Sequence, residues 1–263
     1  MSAKSARGAR VRTPREAPDG ARTSRFGGWR TSVPVALVRA SHPRQAGLTA
    51  VVLAAAAAMS GRSTREVGLV LVTVLVGQVI LGWHNDVVDA KRDRSHARPD
   101  KPIALGHVEA GTVTFALLVA VLLVVPLSIA NGVAAGISHL LILVIAAAAN
   151  VGVLRRSRFS YLSWMAGYGL FPAFLSYGGW GGEGAGGAPT IAMTLLAALL
   201  GIGVHVLVSL PGLVDDNKDG FRHFPLQVAL RTGAPRLLAY AGAWTALVCV
   251  GILIVALTVG LVQ

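Results

Sequence analysis

Long apolar runs alternate with short polar stretches along most of the chain. Seven such runs are visible, at 46–60, 66–84, 111–130, 133–153, 160–178, 190–210 and 236–261. A helix needs about 20 mostly apolar residues to cross the hydrocarbon core of a bilayer, and runs of this kind are typical of membrane-spanning helices. The pattern therefore predicts an all-α, polytopic transmembrane bundle of about seven spans embedded in the lipid bilayer.

Composition supports a membrane protein. The chain has 263 residues, of which 54% are hydrophobic and only 14% are charged, whereas soluble domains carry about 25% charged residues. Aromatic residues make up 6% and glycine is abundant. Small side chains at helix interfaces let membrane helices approach each other closely, so this composition favours a tightly packed bundle.

The N-terminal segment differs from the rest of the chain because it is basic and lacks apolar periodicity. We predict a disordered, basic, cytoplasmic tail over 1–32 and a transmembrane domain over 33–263, with 33–45 lying partly in the membrane interface. Apart from Phe26 and Trp29, no aromatic residues lie among these basic ones. The regular aromatic–basic interleaving of nucleic-acid-binding segments is therefore missing, and a nucleic-acid partner is not expected. The ten basic residues before position 45 are Lys4, Arg7, Arg10, Arg12, Arg15, Arg22, Arg25, Arg30, Arg39 and Arg44.

The basic residues also predict the orientation of the bundle. With seven spans, the tail and the loops after spans two, four and six lie on one side, and that side holds all of the 24 basic residues except Arg62 and Arg65. Because lysine and arginine concentrate on the cytoplasmic side of membrane proteins, we predict a multi-pass protein of the cell membrane whose N-terminus is cytoplasmic.

Two acidic segments contain nearly all the aspartates, and each follows directly on an apolar run. We predict both as cytoplasmic loops, and helical spacing within each would place several carboxylates on one face. The first segment is 85–93, with Asp100 shortly after it, and the second is 215–220. Clustered carboxylates beside a membrane need a cation. The predicted metal ligands are Asp86, Asp89, Asp93, Asp215, Asp216 and Asp219.

Magnesium is the expected ion, because it prefers oxygen ligands and is commonly held by carboxylates together with substrate phosphates. Basic side chains near both segments are suited to binding a diphosphate. The predicted ones are Lys91, Arg94, Arg98, Lys101, Lys218 and Arg222. The spans would add an apolar groove for a lipid tail, so the expected substrate is a prenyl diphosphate.

The first segment resembles a known family signature. Asn85-Asp86-x-x-Asp89-x-x-x-Asp93 is similar to the N-D-x-x-D-x-x-x-D motif of the UbiA-type intramembrane prenyltransferases. Residues 93–106 resemble that family's D-x-x-x-x-R-P-x-R-P-L-x-x-G continuation, with Lys101 in place of its second arginine.

This resemblance implies an all-helical enzyme that uses Mg²⁺ to transfer a prenyl group from a prenyl diphosphate to an acceptor, which is unidentified here and often aromatic in the family. It implies a phosphate-contacting role for Arg155, for which a topology anchor is the alternative. The catalytic residues implied are Asn85, Asp86, Asp89, Asp93 and Asp216.

Two features depart from the family pattern. Alignment on Gly220 puts Gly212 where the earlier aspartate of the second motif belongs, so Asp215 would have to supply the missing ligand. The family generally has nine spans rather than seven. The alternatives left open are a cyclase that uses the same substrate, a catalytically impaired relative, and a non-catalytic membrane transport protein, which the scarcity of ionisable residues within the spans disfavours.

Two further polar residues flank the motifs. Gln78 precedes Asn85 by about two helical turns and is expected to line the pocket. His223 follows the second acidic segment, where either a phosphate contact or a helix cap would explain it.

Overall fold

A computed structural model describes residues 32–180 and 186–260, and within these ranges the regular structure is helical. The all-α prediction is therefore confirmed, whereas the predicted tail lies outside the described residues except for Ser32. A 3₁₀ turn, Leu210–Gly212, joins α9 to α10. The helices are α1 Val33–Ala40, α2 Pro43–Met59, α3 Thr64–Ser95, α4 Ala110–Ala130, α5 Val133–Val151, α6 Val153–Arg156, α7 Tyr161–Gly169, α8 Phe171–Ser176, α9 Ile191–Ser209, α10 Leu213–Lys218, α11 Phe224–Thr232 and α12 Ala234–Thr258.

Five helical segments among the described residues are long and apolar enough to cross a membrane. They are Thr64–Ser95, Ala110–Ala130, Val133–Val151, Ile191–Lys218 and Ala234–Thr258. Each contains most of one predicted span. The protein is therefore a multi-pass, membrane-embedded helical protein.

The other two predicted spans are helical, but neither forms a single helix long enough to cross a bilayer. Helix α2 has 17 residues, which is about 26 Å at 1.5 Å per residue and falls short of a hydrocarbon core of about 30 Å. The fifth predicted span is divided at Leu170 into α7 and α8, and Pro172 lies in the first turn of α8. Proline lacks the N–H that would continue the helical hydrogen bonds, so it favours a break at this point.

Helix α3 corrects the prediction that the first acidic segment is a loop. The helix begins at a capping box in which the Ser63 N–H donates to Glu66 Oε2 at 2.9 Å. It then continues without a break through Asp93 to Ser95. No glycine or proline interrupts the stretch after Gly82, and the charged residues there are compatible with a helix. The three aspartates therefore lie in the last turns of α3.

Close contacts at glycine bring the helices together around the charged end of the bundle. A Cβ atom at Gly82 of α3 would lie 2.6 Å from the backbone carbonyl carbon of Ser41, in the turn between α1 and α2. A Cβ atom at Gly201 of α9 would lie 2.5 Å from the Trp164 carbonyl oxygen of α7. Only glycine allows these approaches without a shift, so α3 packs directly on the α1–α2 turn and α9 packs directly on α7.

Candidate functional site

A cavity of about 590 Å³ lies between α2, α3, α5, α7 and α9. Its charged part lies where α3 ends, and is lined by Asn85, Asp89, Arg92, Asp93, Arg98, Lys101, Arg155 and Asp216. Its apolar and aromatic part lies further along α5, α7 and α9, and is lined by Ile142, Ala146, Trp164, Tyr168, Phe171 and Leu207. The cavity therefore joins an ionic region to an apolar one.

Asp86 is the most deeply buried carboxylate of the site, with 1% of the residue exposed. Lys101 Nζ donates to its Oδ1 at 2.6 Å, and His42 Nε2 lies 2.9 Å from the same oxygen. The other oxygen, Oδ2, is buried and has no hydrogen-bond partner among the described residues. Asp86 is not among the residues that line the cavity. It lies behind the cavity wall and pairs with Lys101, which does line the cavity.

Asn85 and Asp89 of the first segment line the cavity and are hydrogen-bonded to each other. The Asn85 amide donates to Asp89 Oδ2 at 3.2 Å, and Lys101 Nζ donates to Asn85 Oδ1 at 3.3 Å. Arg155 forms a bidentate pair with Asp89, with Nη1–Oδ1 at 2.8 Å and Nη2–Oδ2 at 2.5 Å. Such two-point pairs fix geometry as well as charge, so Arg155 ties α6 to α3.

Asp93 has no such cation on its buried oxygen. Its carboxylate lines the cavity, and its Oδ2 is buried without a hydrogen-bond partner in the part of the chain that the structure describes. A buried acceptor without a partner costs about 1–3 kcal/mol. Asp93 is therefore the carboxylate of the cavity wall best placed to receive an external ligand.

The second acidic segment meets the first at the same end of the bundle. Arg92 Nη2 donates to Asp216 Oδ1 at 2.7 Å, and Arg92 Nε also donates to Asp219. His96 Nε2 lies 2.9 Å from Asp219 Oδ1 and its Nδ1 lies 3.4 Å from Asp215. The hydrogen bond from Arg92 holds the pKa of Asp219 below its ordinary value. The two acidic segments are thus in direct contact in the structure.

His223 caps a helix, as one of its two predicted roles requires, and it also contacts Asp216, which was not predicted. Its Nε2 lies 2.9 Å from Asp216 Oδ2, and its Nδ1 accepts a hydrogen bond from the Leu226 N–H at the start of α11. Because Nδ1 accepts, the neutral ring carries its proton on Nε2 and donates it to Asp216. The helix-cap interpretation is confirmed, and the same ring orients a carboxylate of the cavity.

The basic residues predicted from sequence divide into two groups. Arg98, Lys101 and Arg155 line the cavity, as does Gln78. Four others are exposed and are not among its lining residues, namely Lys91, Arg94, Lys218 and Arg222. Asp215 and Asp219 also lie outside the lining, where they pair with His96, Arg92, Arg98 and Lys218.

Sequence reasoning missed three residues of the site: Arg92, His42 and His96. Arg92 had a usable signal, because it lies three residues after Asp89 and so shares that face of a helix. His42 and His96 had none, since their contacts with Asp86 and Asp219 depend on how distant segments pack.

The oxygen ligands of the site are of the type that suits magnesium, although most of its carboxylates already form ion pairs with basic side chains. Among the described residues, no group of three or more histidine, cysteine, aspartate or glutamate side chains already stands in an arrangement that would hold a metal. The buried, unpartnered oxygens of Asp86 and Asp93 are nevertheless hard oxygen donors, the type that Mg²⁺ prefers. Asp89, Asp93 and Asp216 share the cavity wall, so the oxygen donors present are of the type that fits Mg²⁺, while Asp89 and Asp216 pair with Arg155 and Arg92 in this structure.

These features define a class: an all-helical, multi-pass membrane protein with one cavity that is ionic at the end of α3 and apolar along α5 and α7. Comparison with models of protein families, with curated proteins and with solved structures finds no match for this chain.

Proposed function

We propose that the protein is a Mg²⁺-dependent membrane prenyltransferase that moves an isoprenyl group from a prenyl diphosphate to an acceptor. The observation that carries the proposal is the continuity of an ionic region and an apolar region within one cavity. A prenyl diphosphate has the same division, with a highly charged head and an apolar tail. The resemblance of 85–106 to the UbiA-type signature supports the same assignment.

The diphosphate head would be held by basic side chains of the cavity. Arg98, Lys101 and Arg155 line it and carry the donors that recognise phosphate oxygens. Arg155 offers the strongest geometry, because a guanidinium that grips the Asp89 carboxylate at two points can grip a phosphate in the same way. Exchange of one anion for the other leaves its charge compensated.

The metal would be held by Asp89 and Asp93 of α3 and by Asp216 of α10, with Asp86 behind them. When bound, Mg²⁺ neutralises charge that develops on a leaving diphosphate. Asn85, through its bond to Asp89, and His223, through its bond to Asp216, keep the two carboxylates oriented.

In the reaction, the allylic C–O bond breaks and its electron pair leaves with the diphosphate. The acceptor's nucleophilic atom then forms a bond to the freed carbon and loses a proton. Trp164, Tyr168 and Phe171 would surround the tail and exclude water from the reacting carbon. A volume of about 590 Å³ is within the range of about 300–1,000 Å³ that is usual for small-molecule sites.

The cytoplasmic side is proposed for the ionic end. Arg62 and Arg65 flank the opposite end of α3, whereas the other basic residues of the chain belong to the tail or to segments that the predicted topology places with the acidic motifs. This asymmetry supports delivery of the water-soluble diphosphate product to the cytoplasm.

Release of inorganic diphosphate from a panel of labelled prenyl diphosphates, with and without Mg²⁺, tests the proposal. The variant Asp93→Asn keeps the shape of the side chain and removes its charge, so we expect a loss of about 100-fold or more in release. Glu109→Gln is the matched control, since Glu109 is an exposed carboxylate at the same end of the bundle. Metal-independent release, or equal rates for the two variants, would refute the proposed function.

A further inference from the structure

Arg92 holds the two acidic segments together, although no motif assigns it a role. It lies on α3 between Asp89 and Asp93. Its Nη2 donates to Asp216 at 2.7 Å and its Nε donates to Asp219, which are 124 and 127 residues away along the chain. These bonds join the end of α3 directly to the second acidic segment.

The Arg92 guanidinium is also held from one side by an aromatic ring. Its central carbon lies 4.9 Å from the centroid of the Phe221 ring, and the Arg156 guanidinium lies 4.8 Å from the same centroid. Phe221 is buried and lines the cavity beside Arg92. A guanidinium over an aromatic face is stabilised by the ring's charge distribution, so Arg92 is fixed in its bridging position.

The charges around Arg92 explain why a bridge is needed. Asp216 and Asp219 of the second segment both contact Arg92, which lies between Asp89 and Asp93 on α3. Carboxylates gathered around one position repel each other unless a cation compensates them. Arg155 compensates Asp89, but Asp216 receives its only direct arginine or lysine contact within the described residues from Arg92. Arg98 and His96 contact Asp215 and Asp219, but the cation that joins Asp216 to α3 is Arg92.

We infer that Arg92 is a positioning residue: it acts as a built-in counter-ion that holds Asp216 beside the first segment before ligands bind, and it competes with Mg²⁺ for that carboxylate. The inference rests on the proposed function and deepens it. A diphosphate in the cavity offers Arg92 phosphate oxygens in place of Asp216. Diphosphate binding would then free a metal ligand, so that Mg²⁺ and diphosphate bind cooperatively.

The test uses the full chain purified in detergent, with Mg²⁺ and inorganic pyrophosphate as probes. In Arg92→Met the bridge is lost, so we expect the melting temperature without ligands to fall by about 4 °C. We also expect Mg²⁺ alone to bind about tenfold more tightly than to the wild type, because its competitor is gone. Pyrophosphate should tighten Mg²⁺ binding to the wild type about fivefold or more beyond its effect on the variant, because phosphate oxygens are offered to Mg²⁺ in both proteins and only the wild type also frees Asp216. Both affinities are corrected for Mg²⁺–pyrophosphate association in buffer.

Two further variants make the result specific. Arg231→Met removes an exposed cation of α11 and should change neither the melting temperature nor the Mg²⁺ affinity. Arg92→Lys keeps the charge but lacks the two-pronged donor geometry, so it should lie between the wild type and Arg92→Met, and it serves if Arg92→Met does not fold.

A wild-type melting temperature and an unchanged Mg²⁺ affinity in both Arg92 variants would overturn the inference. If the Arg92 variants melt earlier but neither they nor the wild type bind Mg²⁺, the competition fails together with the metal in the proposed function, while the structural bridge stands. If pyrophosphate tightens Mg²⁺ binding equally in the wild type and in Arg92→Met, only the inference fails.

Discussion

The ion pair between Asp86 and Lys101 is buried, with 1% and 7% of the two residues exposed, and it predicts a large effect of a single substitution. Lys101→Met would leave the Asp86 carboxylate in the interior with only His42 beside it. Loss of one partner from a buried pair costs about 3–5 kcal/mol, so we expect the free energy of unfolding in detergent to fall by that amount.

A matched control for Lys101 is available on the surface. Lys218 pairs with Asp215 at 3.6 Å, and 65% of its side chain is exposed. Exposed pairs contribute about 0–1 kcal/mol, so Lys218→Met should leave the free energy of unfolding nearly unchanged. Equal effects of the two substitutions would show that the Asp86–Lys101 pair is not buried as described.

Gly212 predicts a gain of metal binding when it is replaced by aspartate. It lines the cavity one helical turn before Asp216, and a Cβ atom there would lie 3.3 Å from Asp216 Oδ2. A second carboxylate at this distance repels Asp216 when no cation is present and shares a cation with it when one is present. Gly212→Asp should therefore lower the melting temperature without Mg²⁺ and increase the stabilisation that Mg²⁺ gives. A Mg²⁺ response equal to that of the wild type would count against a metal at Asp216.

For individual residues, the sequence predicted that the aspartates of the first segment share one helical face, but it did not predict which basic side chain contacts each of them. The intervals between Asp86, Asp89 and Asp93 predict one helical face, and they do lie on one helix. The cation that each carboxylate meets depends on tertiary packing, which local periodicity does not encode. For this reason Lys91 and Arg94 lie outside the cavity, although they are close to the aspartates in sequence. Arg155 is 66 residues from Asp89 and nevertheless contacts its carboxylate.

Between elements, a close approach at Gly82 of α3 connects helix packing to the site. A methyl group at this position would meet the Ser41 backbone at 2.6 Å, and backbone cannot move aside as a flexible side chain can. Gly82→Ala should destabilise the protein by about 1–3 kcal/mol. It should also displace His42, the residue after Ser41, from Asp86.

Gly68, in the same helix, is the control for Gly82. Nothing lies within 4 Å of a Cβ atom built there, so Gly68→Ala should add helix propensity and stabilise the protein by up to about 1 kcal/mol. Thermal unfolding of the two variants in the same detergent measures the difference. A similar change in both would mean that α3 does not pack on the α1–α2 turn.

The elements themselves were largely predictable, because each apolar run is helical, although the fifth is divided into α7 and α8. Two helix boundaries could not be predicted. The acidic and basic residues after Gly82 suggested a loop, yet α3 continues to Ser95 because its polar end is held by contacts with distant segments, such as Arg155 and Asp216. The break between α7 and α8 follows from Pro172, but its place at Leu170 depends on the packing of both pieces against α5.

For the whole molecule, α3 is the element that relates the site to the membrane. Its first turn carries Arg65 and its last turns carry Lys91, both exposed. Lys91 follows Arg65 by 26 positions, which is about 39 Å at 1.5 Å per residue and exceeds a hydrocarbon core of about 30 Å. The two positions must therefore lie on opposite sides of the bilayer if α3 crosses it.

The proposed orientation predicts which of these positions faces the cytoplasm. In a background where the single cysteine, Cys249, is replaced by serine, a membrane-impermeant maleimide added to intact cells should label Arg65→Cys but not Lys91→Cys. Lysis should expose both. Lys218→Cys should behave as Lys91→Cys does, because its neighbour Asp215 contacts His96 just beyond α3. Labelling of both Lys91→Cys and Lys218→Cys but not Arg65→Cys in intact cells would invert the orientation. Opposite behaviour of Lys91→Cys and Lys218→Cys would separate the two acidic segments by a membrane and remove the basis for a shared diphosphate site.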